Sequence, residues 1–178
     1  MTAPAYIQPS SYSKAGIPLF DPPRDLFLGV DPGASGGFAI LDKDGNVVDV
    51  TKCPDTEKDM SDYFAEFAPR LQMAVIESVH SFPGQGVASS FKFGMNYGAL
   101  RMGLIAHGIP FEYVSPGKWQ HPFGLLEKGR KATDSNTAKK NKHKSRAQEL
   151  FPSVKVTHWN SDALLLAEYL RRRFNGCP

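Results

Sequence analysis

The sequence predicts an α/β fold: a mixed sheet, made of a three-strand meander followed by parallel strands, flanked by helices. Three observations lead there. Two apolar runs of strand length, Leu26 to Asp31 and Gly37 to Leu41, are joined by the glycine-rich turn Pro32-Gly33-Ala34-Ser35-Gly36. A third run follows the turn signal Asp44-Gly45-Asn46, which completes a meander. Beyond it, segments of helical and strand character alternate, as in sheets covered by helices. At 178 residues with 41% hydrophobic content, one domain with one core is expected.

Each element has its own reason. The chain before Arg24 carries Pro4, Pro9, Pro18, Pro22 and Pro23, which exclude a regular helix. Its serines and its lack of an acid before Asp21 hint at a transit peptide. Lys14 is its only basic residue before Arg24, so residues 1–24 read as an arm lying on the body or on a partner, with the folded domain over 25–178. Strands are expected at about 26–31, 37–42 and 46–51. A helix near 57–70 puts Tyr63, Phe64 and Phe67 on its apolar side. The apolar strand Met73 to Glu77 follows, then a long helix from Val87 to His107. Phe111 to Val114 makes another strand, followed by short helical pieces. A helix near 144–150 is stopped by Pro152, and the last helix runs from about Thr157 to Arg173.

Charge is unevenly placed. Lys128, Arg130, Lys131, Lys139, Lys140, Lys142, Lys144 and Arg146 face only one acid, Asp134, within 128–146. Everywhere else the chain holds 13 basic and 17 acidic residues. The window is nearly free of apolar residues and is expected to be a mobile basic loop. A solvated surface loop is the plain alternative, but such a concentration on an acidic body favours a polyanionic partner. Cys53 and Cys177 are far apart and lack metal-ligand spacing. They point to a reducing compartment, cytoplasmic rather than organellar, and to no zinc site. No apolar stretch is long enough to span a bilayer.

Three acids stand out. Asp31 and Glu77 both end apolar strands, and a carboxylate there is costly unless a cation meets it. A turn aspartate beside Pro-Gly is the competing reading for Asp31. Asp162 opens the last helix, where an acid also suits the helix dipole or an N-cap. His158 lies four residues before Asp162, on the same face if the helix has begun by then. If neighbouring strands and a closing helix bring the three acids together, they suit one or two Mg²⁺ ions. Two such ions activate a water and stabilise the leaving oxygen of a phosphodiester.

Four blocks then resemble RuvC-type Holliday-junction resolvases. They are Gly29-Val30-Asp31-Pro32-Gly33-Ala34-Ser35-Gly36-Gly37, Val75-Ile76-Glu77-Ser78-Val79, Val114-Ser115-Pro116-Gly117-Lys118-Trp119 and Asp162-Ala163-Leu164-Leu165-Leu166-Ala167. The stretches Ser81 to Gly86 and Phe93 to Gly98 resemble the phage and plant-organelle branch. The resemblance spans roughly residues 26 to 175, in order. It implies an RNase H-like fold, a homodimer, divalent metal and paired nicks across a four-way DNA junction. It assigns Asp31, Glu77 and Asp162 as metal-binding, catalytic acids. His158 falls where relatives carry a fourth acid or a histidine, and either binds Mn²⁺ or moves a proton. Phe82 falls where relatives place an aromatic wedge, with simple packing as the alternative. Lys118 lies near the family's lysine, although Gln120 stands where many relatives are basic.

DNA contacts are therefore expected at Phe82, Lys118 and the eight basic residues of 128–146. The long helix, with Phe93, Tyr97, Leu100 and Leu104 beside Gly94, Gly98 and Ala99, is the expected dimer interface, unless those side chains are core. Two other classes remain open: a non-catalytic DNA-binding module on the same fold, and a nucleotide-binding relative of actin-like kinases. The chain length disfavours the second, which needs two such domains.

Overall fold

The structure, a computed structural model, describes residues 22–79, 86–126 and 135–176. Most of the arm, Phe82, Lys128, Arg130 and Lys131 lie outside the described residues. Five strands form one sheet: β1 (Leu26–Asp31), β2 (Gly37–Asp42), β3 (Val47–Lys52), β4 (Leu71–Glu77) and β5 (Phe111–Val114). Their order is β3-β2-β1-β4-β5. The meander pairs antiparallel, while β4 pairs parallel with both β1 and β5. The helices are α1 (Glu57–Phe67), α2 (Val87–Ala106), α3 (Pro116–Gln120), α4 (Asn136–Leu150) and α5 (Ser161–Phe174). No helix among the described residues is long and apolar enough to cross a membrane.

Alternation along the strands assigns each side chain to a face. Leu26, Leu28 and Val30 of β1 join Ala74 and Ile76 of β4 in a core closed by Met60, Phe64, Leu100 and Leu104 of α1 and α2. Phe27 and Val75 belong to the other core, closed by Ala163 to Ala167 of α5 with Trp119, Phe123 and Ala147. Asp31 and Glu77 continue this second set, so both strand ends aim toward the α5 side.

Gly29 sets how near α5 comes. A Cβ at Gly29 would lie 2.3 Å from both the Ala163 carbonyl oxygen and the Ala167 nitrogen. Only a missing side chain lets the helix backbone rest on β1. Toward the far end of α5, the buried Glu168 pairs within the helix with Arg171 and Arg172 at 2.8 and 2.7 Å. Arg171 also donates to the Lys43 carbonyl in the β2–β3 turn, at 3.1 Å.

Three expectations are corrected. The segment expected to be a loop is helical from Asn136 onward. Ser135 caps it by accepting from the Ala138 N–H at 3.2 Å. Ala138, the lysines, Arg146, Ala147, Gln148 and Leu150 are good helix formers, although only Ala147 is buried. A helix with one narrow buried edge leaves no apolar periodicity to read. The last helix begins at Ser161 rather than Thr157, so His158 and Asp162 do not share a helical face. On α2, Leu100 and Leu104 are core and Phe93 and Tyr97 half-buried, which corrects the expected interface set. Its open face carries Val87, Phe91, Met95, Met102 and Ile105 instead.

Candidate active site

β1 and β4 run side by side in parallel, with Val30 opposite Ile76. The next residues, Asp31 and Glu77, leave the sheet as neighbours at its carboxyl end. α5 lies across that face, and its first turn presents Asp162. The electrostatics show the convergence. Burial, then the charges of Asp162 and Glu77, push the Asp31 carboxyl well above its ordinary range, and Lys140 works against them. Burial also raises Glu77, with Asp162 adding to it, while Trp119 and His143 lower it.

Two contacts orient the acids. The Trp119 indole nitrogen donates to Glu77 Oε1 at 2.8 Å. Trp119 is fully buried, so that carboxylate is referenced to the rigid core. His143 Nδ1 lies 2.8 Å from Asp162 Oδ1. The indole and imidazole rings meet edge to face at 5.4 Å, which joins the two contacts. Ser161 Oγ also donates to Asp162 Oδ1, at 3.2 Å.

The sequence-predicted residues divide accordingly. Asp31, Glu77 and Asp162 come together. His158 is exposed and its Nε2 shares a hydrogen bond with Asn141 Oδ1 at 2.9 Å. Lys118 is exposed on α3, next to the buried Trp119. Lys139, Lys140, Lys142, Lys144 and Arg146 line α4, where Arg146 pairs with Glu149 at 2.8 Å.

The residues missed were His143 and Trp119. Lys140, His143 and Ala147 are spaced three and four apart, and that stripe was the available signal for His143. Trp119 lies inside the third of the four resembling blocks, but nothing local tells which acid an indole will meet.

The donor set is oxygen-rich, as hard divalent cations require. Among the described residues, no group of three or more acid, histidine or cysteine side chains is arranged so that it could hold a metal ion as it stands. The charges of Asp162 and Glu77 oppose the ionisation of Asp31, and Lys140 offsets part of that repulsion. The repulsion left among the acids is what a bound cation would relieve.

No protein-family model matches the sequence, and no curated protein matches it. Solved structures do match by shape. The RuvC structure from Thermus thermophilus superposes with a TM-score of 0.58 at 16% identity, covering 85% of this chain and 96% of that one. T. thermophilus RuvC in complex with a Holliday junction substrate gives 0.60 at 13% identity, with 85% and 96% covered. The yeast mitochondrial Holliday junction resolvase Ydc2 gives 0.45 at 16% identity, with 84% and 79% covered. The chain has the RNase H-like α/β fold, in the form seen in RuvC.

Proposed function

We propose that this chain is a divalent-metal-dependent endonuclease that resolves four-way DNA junctions by paired symmetric nicks. The observation that carries the reading is the convergence of Asp31, Glu77 and Asp162 at one sheet end, where the charges of Asp162 and Glu77 both oppose the ionisation of Asp31. Carboxylates arranged in this way suit Mg²⁺ or Mn²⁺, as a pair of ions. Such ions, when bound, lower the pKa of water and spread the charge of a phosphodiester.

The remaining work falls to side chains of this chain. Asp31, Glu77 and Asp162 would hold the cations. Lys140 acts electrostatically on Asp31 and so stands within reach of a phosphate seated over the acids. With Nδ1 of His143 engaged by Asp162, Nε2 is the atom left to take or give a proton. The other cations of α4 continue along the same helix as a track for the backbone.

Two nicks need two sites, and a C2 homodimer supplies them. The open face of α2 is the surface we assign to it. Phe91, Met95, Met102 and Ile105 are 69%, 53%, 58% and 57% exposed there.

The test is cleavage of a four-way junction, a plain duplex and an RNA–DNA hybrid with Mg²⁺ or Mn²⁺. Nicks at symmetry-related positions of the junction, lost in Asp31→Asn, support the reading. A junction that is bound but never cut leaves a binding module. Equal cutting of all three substrates removes the junction specificity.

A further inference from the structure

A cavity of about 370 Å³ opens at the same end of the sheet as the acids but on the α2 side. Its walls include Gly33, Cys53, Asp55, Lys92, Phe93 and Asn96, all within the described residues. It adjoins the acids: Gly33 lies two residues beyond Asp31, and the Asp31 charge is felt at the Cys53 thiol. None of these side chains takes part in the chemistry assigned above.

Three features of its lining point to one kind of ligand. The Phe93 ring stacks on Tyr97 at 5.9 Å with 21° between planes, so its orientation is set before anything binds. Gly33 has φ of +113°, and a Cβ there would sit 3.4 Å from the Phe93 ring. The positive φ is what requires glycine here; a Cβ would meet the ring only at ordinary contact distance. Asn96 is a half-buried amide whose contacts among the described residues are to the Cys53 sulfur, at 3.7 and 3.8 Å. A thiol is a weak partner, and an amide has two donors and two acceptor lone pairs to offer. An aromatic face, an under-used amide, the Asp55 carboxylate and the Lys92 ammonium together suit a flat heterocycle with a polar edge and a phosphate attached. The volume lies within the usual range for small-molecule sites.

We infer that this cavity receives one unpaired base from the strand whose phosphate sits over Asp31, and that Asn96 contributes to base choice at the cut. The inference rests on the nuclease reading and deepens it. The base stacks on Phe93, Asn96 and Asp55 meet its polar edge, and Lys92 lies toward the backbone. Every base has a face to stack, so Phe93 supplies affinity and Asn96 supplies preference.

The test uses the full chain and four-way junctions carrying a single 5-iodouracil at successive positions around the branch point. Irradiation without metal crosslinks a halogenated base to an aromatic side chain stacked on it. Cutting with Mg²⁺ is measured in parallel on junctions of varied sequence at the branch. Expected are a crosslink at Phe93 from one position next to the nick, lost in Phe93→Leu, and an Asn96→Ala variant that still cuts. In that variant the rate ratio between preferred and disfavoured bases falls by about 5- to 100-fold. Asp31-dependent cutting with no crosslink at Phe93, or with an unchanged base preference in Asn96→Ala, overturns the cavity assignment and leaves the nuclease reading standing. Neither cutting nor crosslinking overturns both.

Discussion

His143 Nδ1 and Asp162 Oδ1 lie 2.8 Å apart, joining the basic helix α4 to the first turn of α5. One hydrogen bond thus places a row of cations beside three acids, and one acid beside an imidazole. The contact makes α4 part of the site rather than a neighbouring surface.

Asp31 gives a pH signature in the metal-free protein. Burial, then Asp162 and Glu77, raise its carboxyl above the ordinary value of 3.8. An acid whose native pKa is raised binds more protons folded than unfolded. Its stabilisation is complete below the unfolded value and is lost as pH rises through the native one. Wild-type stability is therefore expected to fall as pH rises from about 4 toward the raised native value. Asp31→Asn removes this decline and stabilises the protein at pH 7 by about 0.5–2 kcal/mol. Thermal unfolding of both proteins across that range checks it. Identical curves for the two at pH 7 would contradict the charge conflict.

Trp119 is expected to position Glu77. Trp119→Phe keeps an aromatic ring in the core and removes the N–H that holds Glu77 Oε1. Mn²⁺ affinity, measured by calorimetry, should drop about 10- to 100-fold. Some stability goes with it, about 1–3 kcal/mol, because a buried ring has been shortened. Wild-type Mn²⁺ affinity in a folded variant would leave Trp119 as a packing residue only.

The α4 lysines should supply affinity without sequence choice. Replacing Lys139, Lys140, Lys142 and Lys144 with Ala is expected to weaken junction binding and flatten its salt dependence. The loss is about one unit of log–log slope per phosphate contact removed. Cut positions should stay the same, since phosphate contacts carry no base information. Alanine favours helix, so α4 itself survives the change. An unaltered salt slope would reduce α4 to a solvated face.

The dimer assignment is tested on the open side of α2. Phe91→Glu with Met102→Glu places charges on residues that the described fold leaves 69% and 58% exposed. The fold should be unaffected, and sedimentation should move from dimer to monomer. A wild-type protein that is monomeric both free and on a junction would refute the interface.

Much of the architecture was legible because strands announce themselves locally. β1, β2, β4 and β5 are apolar runs ended by turns or acids, and the ends of the runs already place Asp31 and Glu77 at strand ends. Asp162 was legible as an acid opening an apolar helix. α4 was not, because its stability depends on helix propensity, a serine cap and one buried edge at Ala147, and none of these leaves a hydrophobic period. The choice between His158 and His143 was out of reach for a related reason. It turns on where α5 begins and how α4 crosses it.

The sequence by itself determined the strand runs, the order of the elements and the three acids, since each depends on a few adjacent side chains and their hydrophobic pattern. Only the tertiary structure decided which histidine meets Asp162, that Trp119 holds Glu77, and which face of α2 stays open. Those are contacts between residues 19 and 42 positions apart, or the outcome of packing between whole elements. They depend on helix start points and on close approaches such as α5 against Gly29. Such relationships exist only once the sheet has brought distant segments together.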